Sequence, residues 1–268
     1  MVMKKIYFIF KFFDFIGKRS VSFVITLGVA VIFLFSILFS RIDLKKNKYE
    51  FIRQFYFIAF LSLGLIVISS LFIGFVVGLQ ACCIVQSFGS HDFVGKTSSL
   101  TIVRELGPVV TAILFTGRTG ASLTAEISLM KTTDQLAAME MMGISYIKKI
   151  IAPRFWCSLF AMFFLSAIFM ILAILGCYVS SVLYLNIDHY VYLSSIKENL
   201  SFRVDIINSL FKSFIFGFII TWISLFQGVI SNSTNSGIAK STTNTVVYSI
   251  FIILVLNFFL TLVMFGWK

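Results

Sequence analysis

The sequence predicts an all-α integral membrane protein: an N-terminal interfacial elbow helix, five transmembrane helices and a short cytoplasmic helix. Three observations lead there. The chain is 59% hydrophobic and 12% charged, with 33 Phe in 268 residues, and its mean hydropathy is +1.01. A soluble domain cannot hide that much apolar surface. Apolar stretches of about 20 residues, the length a helix needs to cross the hydrocarbon, recur at 21–39, 55–79, 106–130, 155–179, 206–228 and 243–265. Basic residues collect between these stretches rather than evenly along the chain. No Pro/Gly/Ser-rich linker and no internal repeat divides the chain, so residues 1–268 read as one membrane domain.

The first stretch is the exception among the six. Lys4, Lys5, Lys11, Lys18 and Arg19 precede 21–39, and Arg41, Lys45, Lys46, Lys48 and Arg53 follow it. Basic flanks belong in the cytoplasm. Both flanks can lie there only if 21–39 does not cross, which makes 1–53 a basic N-terminus carrying an elbow helix in the inner leaflet. An ordinary sixth span is the alternative reading. The stretch is too long for the apolar region of a signal peptide and has no small-x-small cleavage site.

The five remaining spans form a core over 55–265. Span 55–79 leaves the cytoplasm and 106–130 returns to the segment holding Lys131, Lys148, Lys149 and Arg154. Span 155–179 leads out to 184–205, which has no basic excess, and 206–228 comes back to the polar loop 231–244. Span 243–265 ends outside, so the N-terminus is cytoplasmic and the C-terminus external. The net charge of +11 is accounted for by cytoplasmic flanks and anionic lipid, not by nucleic acid. Cys82, Cys83, Cys157 and Cys177, with only His91 and His189 beside them, offer no metal-ligand spacing.

The two prolines, Pro108 and Pro153, mark helix starts, where a missing N–H costs nothing. Pro108 alternatively kinks a helix that begins near Thr101.

KTTDQLAAMEMMGIS (131–145) has its own punctuation. Thr132 and Gln135 fit a capping box, Asp134 suits the first turn, and Gly143 suits the position just past the end. Leu136, Met139 and Met142 share a face by helical spacing. Methionines adapt to irregular partner surfaces. The segment, including Glu140, reads as a docking helix or as a plain bridge between spans.

RELGPVVTAILFTGRTGASLTAE (104–126) places four ionisable groups in a greasy chain. An Arg at the centre of a span costs about 2.5–3.5 kcal/mol on insertion scales, so such residues face protein or a wet cavity. Arg118, Ser122 and Glu126 form one polar stripe. Gly117, Ala121 and Ala125 form an adjacent small-residue stripe. With Gly74 and Gly78 of GFVVG in the first core span, this predicts close packing of the first and second core spans. Arg104, Glu105 and Lys212 lie near the outer side, where they could form a cationic rim above apolar walls.

These residues carry a family resemblance. The run 104–156, from RELGPVV through GRTGASLTAE and EMMG to PRFW, resembles the signature of the MlaE permease family, the membrane subunits of ABC systems that move phospholipids with MCE-domain proteins. FIGFVVGLQ (72–80), KSFIFGFIITWISLFQG (212–228) and SGIAKSTTNTVVYS (236–249) extend the resemblance over about 55–265. It implies a homodimeric permease in a bacterial inner membrane, not an enzyme, that maintains outer-membrane lipid asymmetry. It further implies two cytoplasmic ATPase subunits docked on 132–143, an MCE-protein ring on the outer face, and a lipid at a mouth formed by Arg104, Glu105 and Lys212. ATP and Mg would be used by the partner, since this chain has no Walker motif and no cofactor of its own. Lys240 occupies a position where the family more often has Arg, and Ala81, Cys82 and Cys83 replace a stretch that often carries an aromatic. Two other readings are a membrane-embedded lipid-modifying enzyme, which needs a catalytic constellation, and an autonomous secondary transporter, which would show repeats or broken helices.

Overall fold

A computed structural model of the chain describes residues 2–40, 48–87, 94–184 and 187–265. Arg41, Lys45, Lys46 and His91, used above, lie outside the described residues. The described residues are almost entirely helical: α1 (Val2–Leu38), α2 (Lys48–Ser87), α3 (Val94–Thr101), α4 (Gly107–Phe115), α5 (Ala121–Thr132), α6 (Gln135–Met141), α7 (Ala152–Tyr178), α8 (His189–Asn199), α9 (Ile207–Ile230) and α10 (Asn235–Phe265). Single π-helical turns at Ile102–Leu106 and Thr116–Gly120 join α3, α4 and α5 into one span. Similar turns lead into α7 and α9.

Among the described residues six segments are long and apolar enough to cross a membrane: Ser20–Leu38, Phe51–Ile84, Val94–Thr132, Ile147–Tyr184, Val204–Ile230 and Asn235–Met264. The chain is therefore an all-α, multi-pass membrane protein. The spans are longer than hydropathy alone predicts, because polar residues at their ends continue the helix. The segment 231–244, expected as a loop, is mostly the start of α10. Thr234 Oγ1 accepts the Gly237 N–H at 3.0 Å, satisfying an orphan donor of the first turn. Ser241 and Thr245 then turn inward, where Ser241 meets Ser128 at 3.2 Å and Thr245 meets Thr124 at 3.0 Å. Hydropathy scores Ser241 as a loop former, but it has a partner inside the bundle. Pro108 likewise lies inside a helix that starts at Val94, not at a helix start.

Helices run alternately between an end carrying α6 and an end carrying α3 and α8. Phe115, Met162, Phe169, Phe216 and Ile220 form the centre of the core. The close contact made by GFVVG is with α7, not with the second core span as the sequence suggests. A Cβ on Gly74 would run into the Ala173 carbonyl, and one on Gly78 into Ser180 Oγ. From the other side, a Cβ on Gly176 would come within 2.6 Å of the Leu71 carbonyl. The sequence shows a small-residue stripe but not its partner, and Ala173–Gly176–Ser180 was concealed in an apolar run. The expected stripe Gly117–Ala121–Ala125 makes no such seam: a Cβ on Gly117 would meet nothing within 4 Å.

The last turns of α1 rest on the α6 end of the bundle. Ala30, Phe33 and Ile37 are buried there. Trp222 Nε1 donates to the Ala30 carbonyl at 3.1 Å, and the rings of Phe33 and Phe226 lie 5.9 Å apart. Most described side chains before Ala30 in α1 are exposed.

Candidate functional site

The π turn at 102–106 shapes the α8 end of the second core span. Its signature is the Gly107 N–H returning to the Ile102 carbonyl, five residues back. Pro108 follows and has no N–H to offer the Arg104 carbonyl, four residues back. Lys212 Nζ, from α9, donates to that carbonyl at 3.2 Å. The same ammonium donates to Glu105 Oε2 at 3.0 Å and to Thr261 Oγ1 at 2.8 Å. Glu105 also accepts from Thr261 Oγ1 at 2.8 Å and from Asn257 Nδ2 at 3.1 Å. Single π turns of this kind often occur at functional sites.

Arg104 turns the other way. Its Nη2 lies 2.7 Å from Asp205 Oδ1, and Nε donates to the same oxygen at 2.8 Å. Asp205 sits in the π turn before α9 and is 1% exposed. Its second oxygen accepts from the Ser201 N–H at 2.9 Å and from Ser201 Oγ at 3.0 Å.

Arg104, Glu105 and Lys212 therefore converge, but not as a cationic rim. Lys212 is 0% exposed and Arg104 is ion-paired, so two cations and two carboxylates balance. Glu105, 35% exposed, and Arg104, 36% exposed, are the members that reach the surface. The sequence reading missed Asp205, Asn257 and Thr261. Asp205 was visible as a carboxylate one turn before an apolar span. Asn257 and Thr261 share a face with each other by i, i+4 spacing, a signal hidden in a run of Phe and Leu.

The polar stripe of α5 divides between two neighbours. Arg118, in the π turn 116–120, donates from Nη1 to Ser62 Oγ at 2.7 Å, and that hydroxyl also meets Thr119 at 2.9 Å. Glu126 pairs with Arg154 at 3.2 Å, while Ser122 makes a long contact with Glu126 at 3.4 Å. Arg118 and Glu126 do not pair with each other. Arg154, at the start of α7, is the partner of Glu126, although by sequence it stands only among the basic flank of 131–154.

At the α6 end, the expected capping box does not form. Thr132 is the last residue of α5 and its hydroxyl returns to the Ser128 carbonyl at 2.8 Å. Asp134 adopts a left-handed conformation, φ 55°, and turns the chain into α6 without a side-chain cap. A Thr-x-x-Gln pattern cannot cap when the threonine is still inside the previous helix. Gly143, φ 74°, ends α6 as expected. Its N–H reaches the Glu140 carbonyl at 2.9 Å and the Ile144 N–H reaches that of Met139 at 2.9 Å, the paired bonds of a left-handed helix stop.

The faces of α6 also differ from the expectation. Leu136 is buried against Ile127, Ile151 and Phe155, and Met139 is half-buried. The residues offered outward are Met141, 84% exposed, and Met142, 66% exposed. Gln135 and Glu140 are exposed beside them. Lys131 fixes the base of this hairpin by donating to the carbonyls of Val229 and Ser231, each at 2.7 Å. Burial pushes the Tyr146 phenol up, and the Glu140 carboxylate adds to that effect, so Tyr146 stays neutral beside the turn.

Comparison with known proteins gives consistent matches. The family described as permease MlaE matches residues 51–263. An intermembrane phospholipid transport system permease protein of Haemophilus influenzae is 38% identical over 258 residues, covering 96% of this chain and 99% of that protein. A probable ABC transporter permease of Rickettsia typhi is 32% identical over 93% of this chain and 96% of its own length. A probable ABC transporter permease of Synechocystis is 30% identical over 93% of this chain and 95% of its own length.

Proposed function

The chain belongs to the MlaE permease family, and on that premise we propose that it is the membrane subunit of an ATP-binding-cassette transporter that moves phospholipids between the inner membrane and a periplasmic MCE-protein carrier. The observation that carries the proposal is the fourfold charge cluster Arg104–Asp205 and Glu105–Lys212, held in π turns at one end of an apolar bundle. The Haemophilus relative's name supplies the substrate class and the system, and the Rickettsia relative's name supplies the ATP-binding-cassette class.

In this reading the α8 end is periplasmic and the α6 end cytoplasmic, the orientation that places Lys131, Lys148, Lys149 and Arg154 inside. The N-terminus is then cytoplasmic and the C-terminus periplasmic. Arg104 and Glu105 offer opposite charges to a phospholipid headgroup. Lys212 stays behind them, holding Glu105 in place. The exposed methionines of α6 dock an ATPase subunit, which binds ATP and Mg. Two copies of the chain assemble, and the MCE protein sits over the α3–α8 end. Closure of the ATPase subunits presses on α6, whose base is tied to α9 through Lys131, so the push reaches the bundle.

The test is copurification and transport. A complex of this chain with a cytoplasmic ATPase should move fluorescent phospholipid only when ATP is hydrolysed. Lipid turnover by the chain alone would favour a lipid-modifying enzyme instead, and ATP-independent transport by the chain alone would favour a secondary transporter.

A further inference from the structure

A second polar pocket lies at the other end of the same span. It has a volume of about 60 Å³ and its polar lining is Gln54 of α2, Arg118 and Thr119 of the π turn, Ser122 and Glu126 of α5, and Arg154 of α7. Phe57, 58% exposed, lies at its lip, so the pocket opens sideways from the bundle.

Three features mark this pocket. Its charges do not cancel: two guanidinium groups face one carboxylate. Two of its polar atoms, Gln54 Oε1 and Arg154 Nη1, are shielded from solvent without a hydrogen bond among the described residues, and Arg154 holds Glu126 only at ion-pair distance. Buried polar groups in native proteins nearly always have partners, so the Gln54 oxygen awaits a donor, while Arg154 Nη1 has Glu126 as its ion-pair partner at 3.2 Å. The third feature is depth. Twenty-one residues separate Glu105 from Glu126, about 31 Å along a helix. The hydrocarbon core is about 30 Å thick. If Glu105 stands at one headgroup level, Glu126 stands at the other.

We propose that this pocket holds the headgroup of a phospholipid from the leaflet next to α6. The ligand chemistry is a phosphodiester whose alcohol carries a hydroxyl or ammonium group. Phosphate oxygens accept from the arginines, and the hydroxyl or ammonium donates to Gln54 Oε1. The volume admits about two water-sized groups, so only the groups that touch the arginines and Gln54 enter it, and the rest of the headgroup stays at the opening. The acyl chains lie outside, past Phe57. Each protomer then has two headgroup stations on one span, one per leaflet. This proposal rests on the phospholipid-permease reading and adds a site to it.

The test is photocrosslinking of the full chain in nanodiscs, with benzoylphenylalanine in place of Phe57. Nanodiscs of phosphatidylglycerol should give a lipid adduct. Gln54→Leu removes the waiting acceptor without changing charge, and Arg118→Gln removes the positive excess. Each should lower the adduct about tenfold, the loss expected for one charge-assisted or buried hydrogen bond, and the Gln54→Leu result stands even if Arg118→Gln fails to fold. Equal adduct in both folded variants, or equal adduct in nanodiscs of a phosphate-free galactolipid, would overturn the proposal and leave a hydrated pocket beside bulk lipid. Loss of the adduct on adding inorganic phosphate would also overturn it, by showing a site for the free anion. The same probe at Phe258, 63% exposed and next to Asn257, reports lipid at the outer mouth. Adduct there and none at Phe57 would reject the second station and leave the permease reading standing.

Discussion

Lys212 donates to the carbonyl of Arg104 at 3.2 Å, the carbonyl four residues before Pro108. One residue type removes a donor from a membrane helix, and another, on a neighbouring helix, supplies it. In hydrocarbon an unsatisfied backbone carbonyl costs several kcal/mol, so this contact links helix geometry to the charge cluster. It also explains why a lysine can be 0% exposed inside the bundle. Its three hydrogen bonds go to a carboxylate, a carbonyl and a hydroxyl.

Lys212 is therefore expected to matter for stability before it matters for lipid. Lys212→Met should destabilise the protein by about 1–3 kcal/mol, since it leaves Glu105 uncompensated, with the upper range for fully buried pairs reduced by the partial exposure of Glu105. Adding Glu105→Gln should recover part of the loss. Thermal unfolding in detergent across the double-mutant cycle measures the coupling, and additive effects would show that the pair does not act as a unit.

The glycines of α2 give a contrast. Gly74→Leu should prevent α2 from seating on α7, because the Ala173 carbonyl already occupies that space. Lower yield of folded protein on size-exclusion chromatography would be the result. Gly117→Ala, in open space within the protomer, should not lower protomer stability, and helix propensity favours it by up to about 1 kcal/mol.

The two sides of α6 should separate docking from folding. Met141→Asp should abolish ATPase copurification while leaving thermal stability within about 0.5 kcal/mol of the parent, as exposed substitutions usually do. Leu136→Asp buries a charge against Ile127 and Phe155 and should destabilise the chain itself. ATPase binding that survives Met141→Asp would remove α6 from the docking surface.

The N-terminal helix can be placed by labelling. With Cys83 replaced by Ser, a cysteine at Ser20 should react with an impermeant maleimide from the same side as one at Lys148. That is the outcome for an elbow in the inner leaflet. Reaction from the opposite side would make α1 a sixth span.

Much of this fold was legible because the bilayer imposes it. Apolar stretches of fixed length and basic flanks gave the five core spans, and the Gly143 stop of α6 followed from local backbone chemistry. Contacts between helices were less legible. The G-x-x-x-G of α2 announces a close approach without naming α7. The Thr132–Gln135 pattern looks like a cap until the preceding helix is known to run through Thr132. The serines and threonines of 231–244 read as a loop because hydropathy cannot see Ser128, which Ser241 meets across the interface. At the mouth, Arg104, Glu105 and Lys212 were legible as charges out of place. Their neutralisation was not, because Asp205, Asn257 and Thr261 come from distant parts of the chain.

In the proposed function the Arg104–Glu105 mouth handles phospholipid in an ATP-driven complex. The most direct measurement is ATP-dependent transfer of fluorescent phospholipid from proteoliposomes containing the full complex, comparing the parent with Glu105→Gln. Glu105→Gln can keep an acceptor toward Thr261 but removes the exposed charge and the counter-ion of the buried Lys212, so transfer is compared at equal amounts of folded complex. Transfer should require ATP and fall about tenfold in the variant, with complex assembly and ATPase subunit binding retained. Transfer unchanged in the variant, or transfer by the chain without ATP, would contradict it.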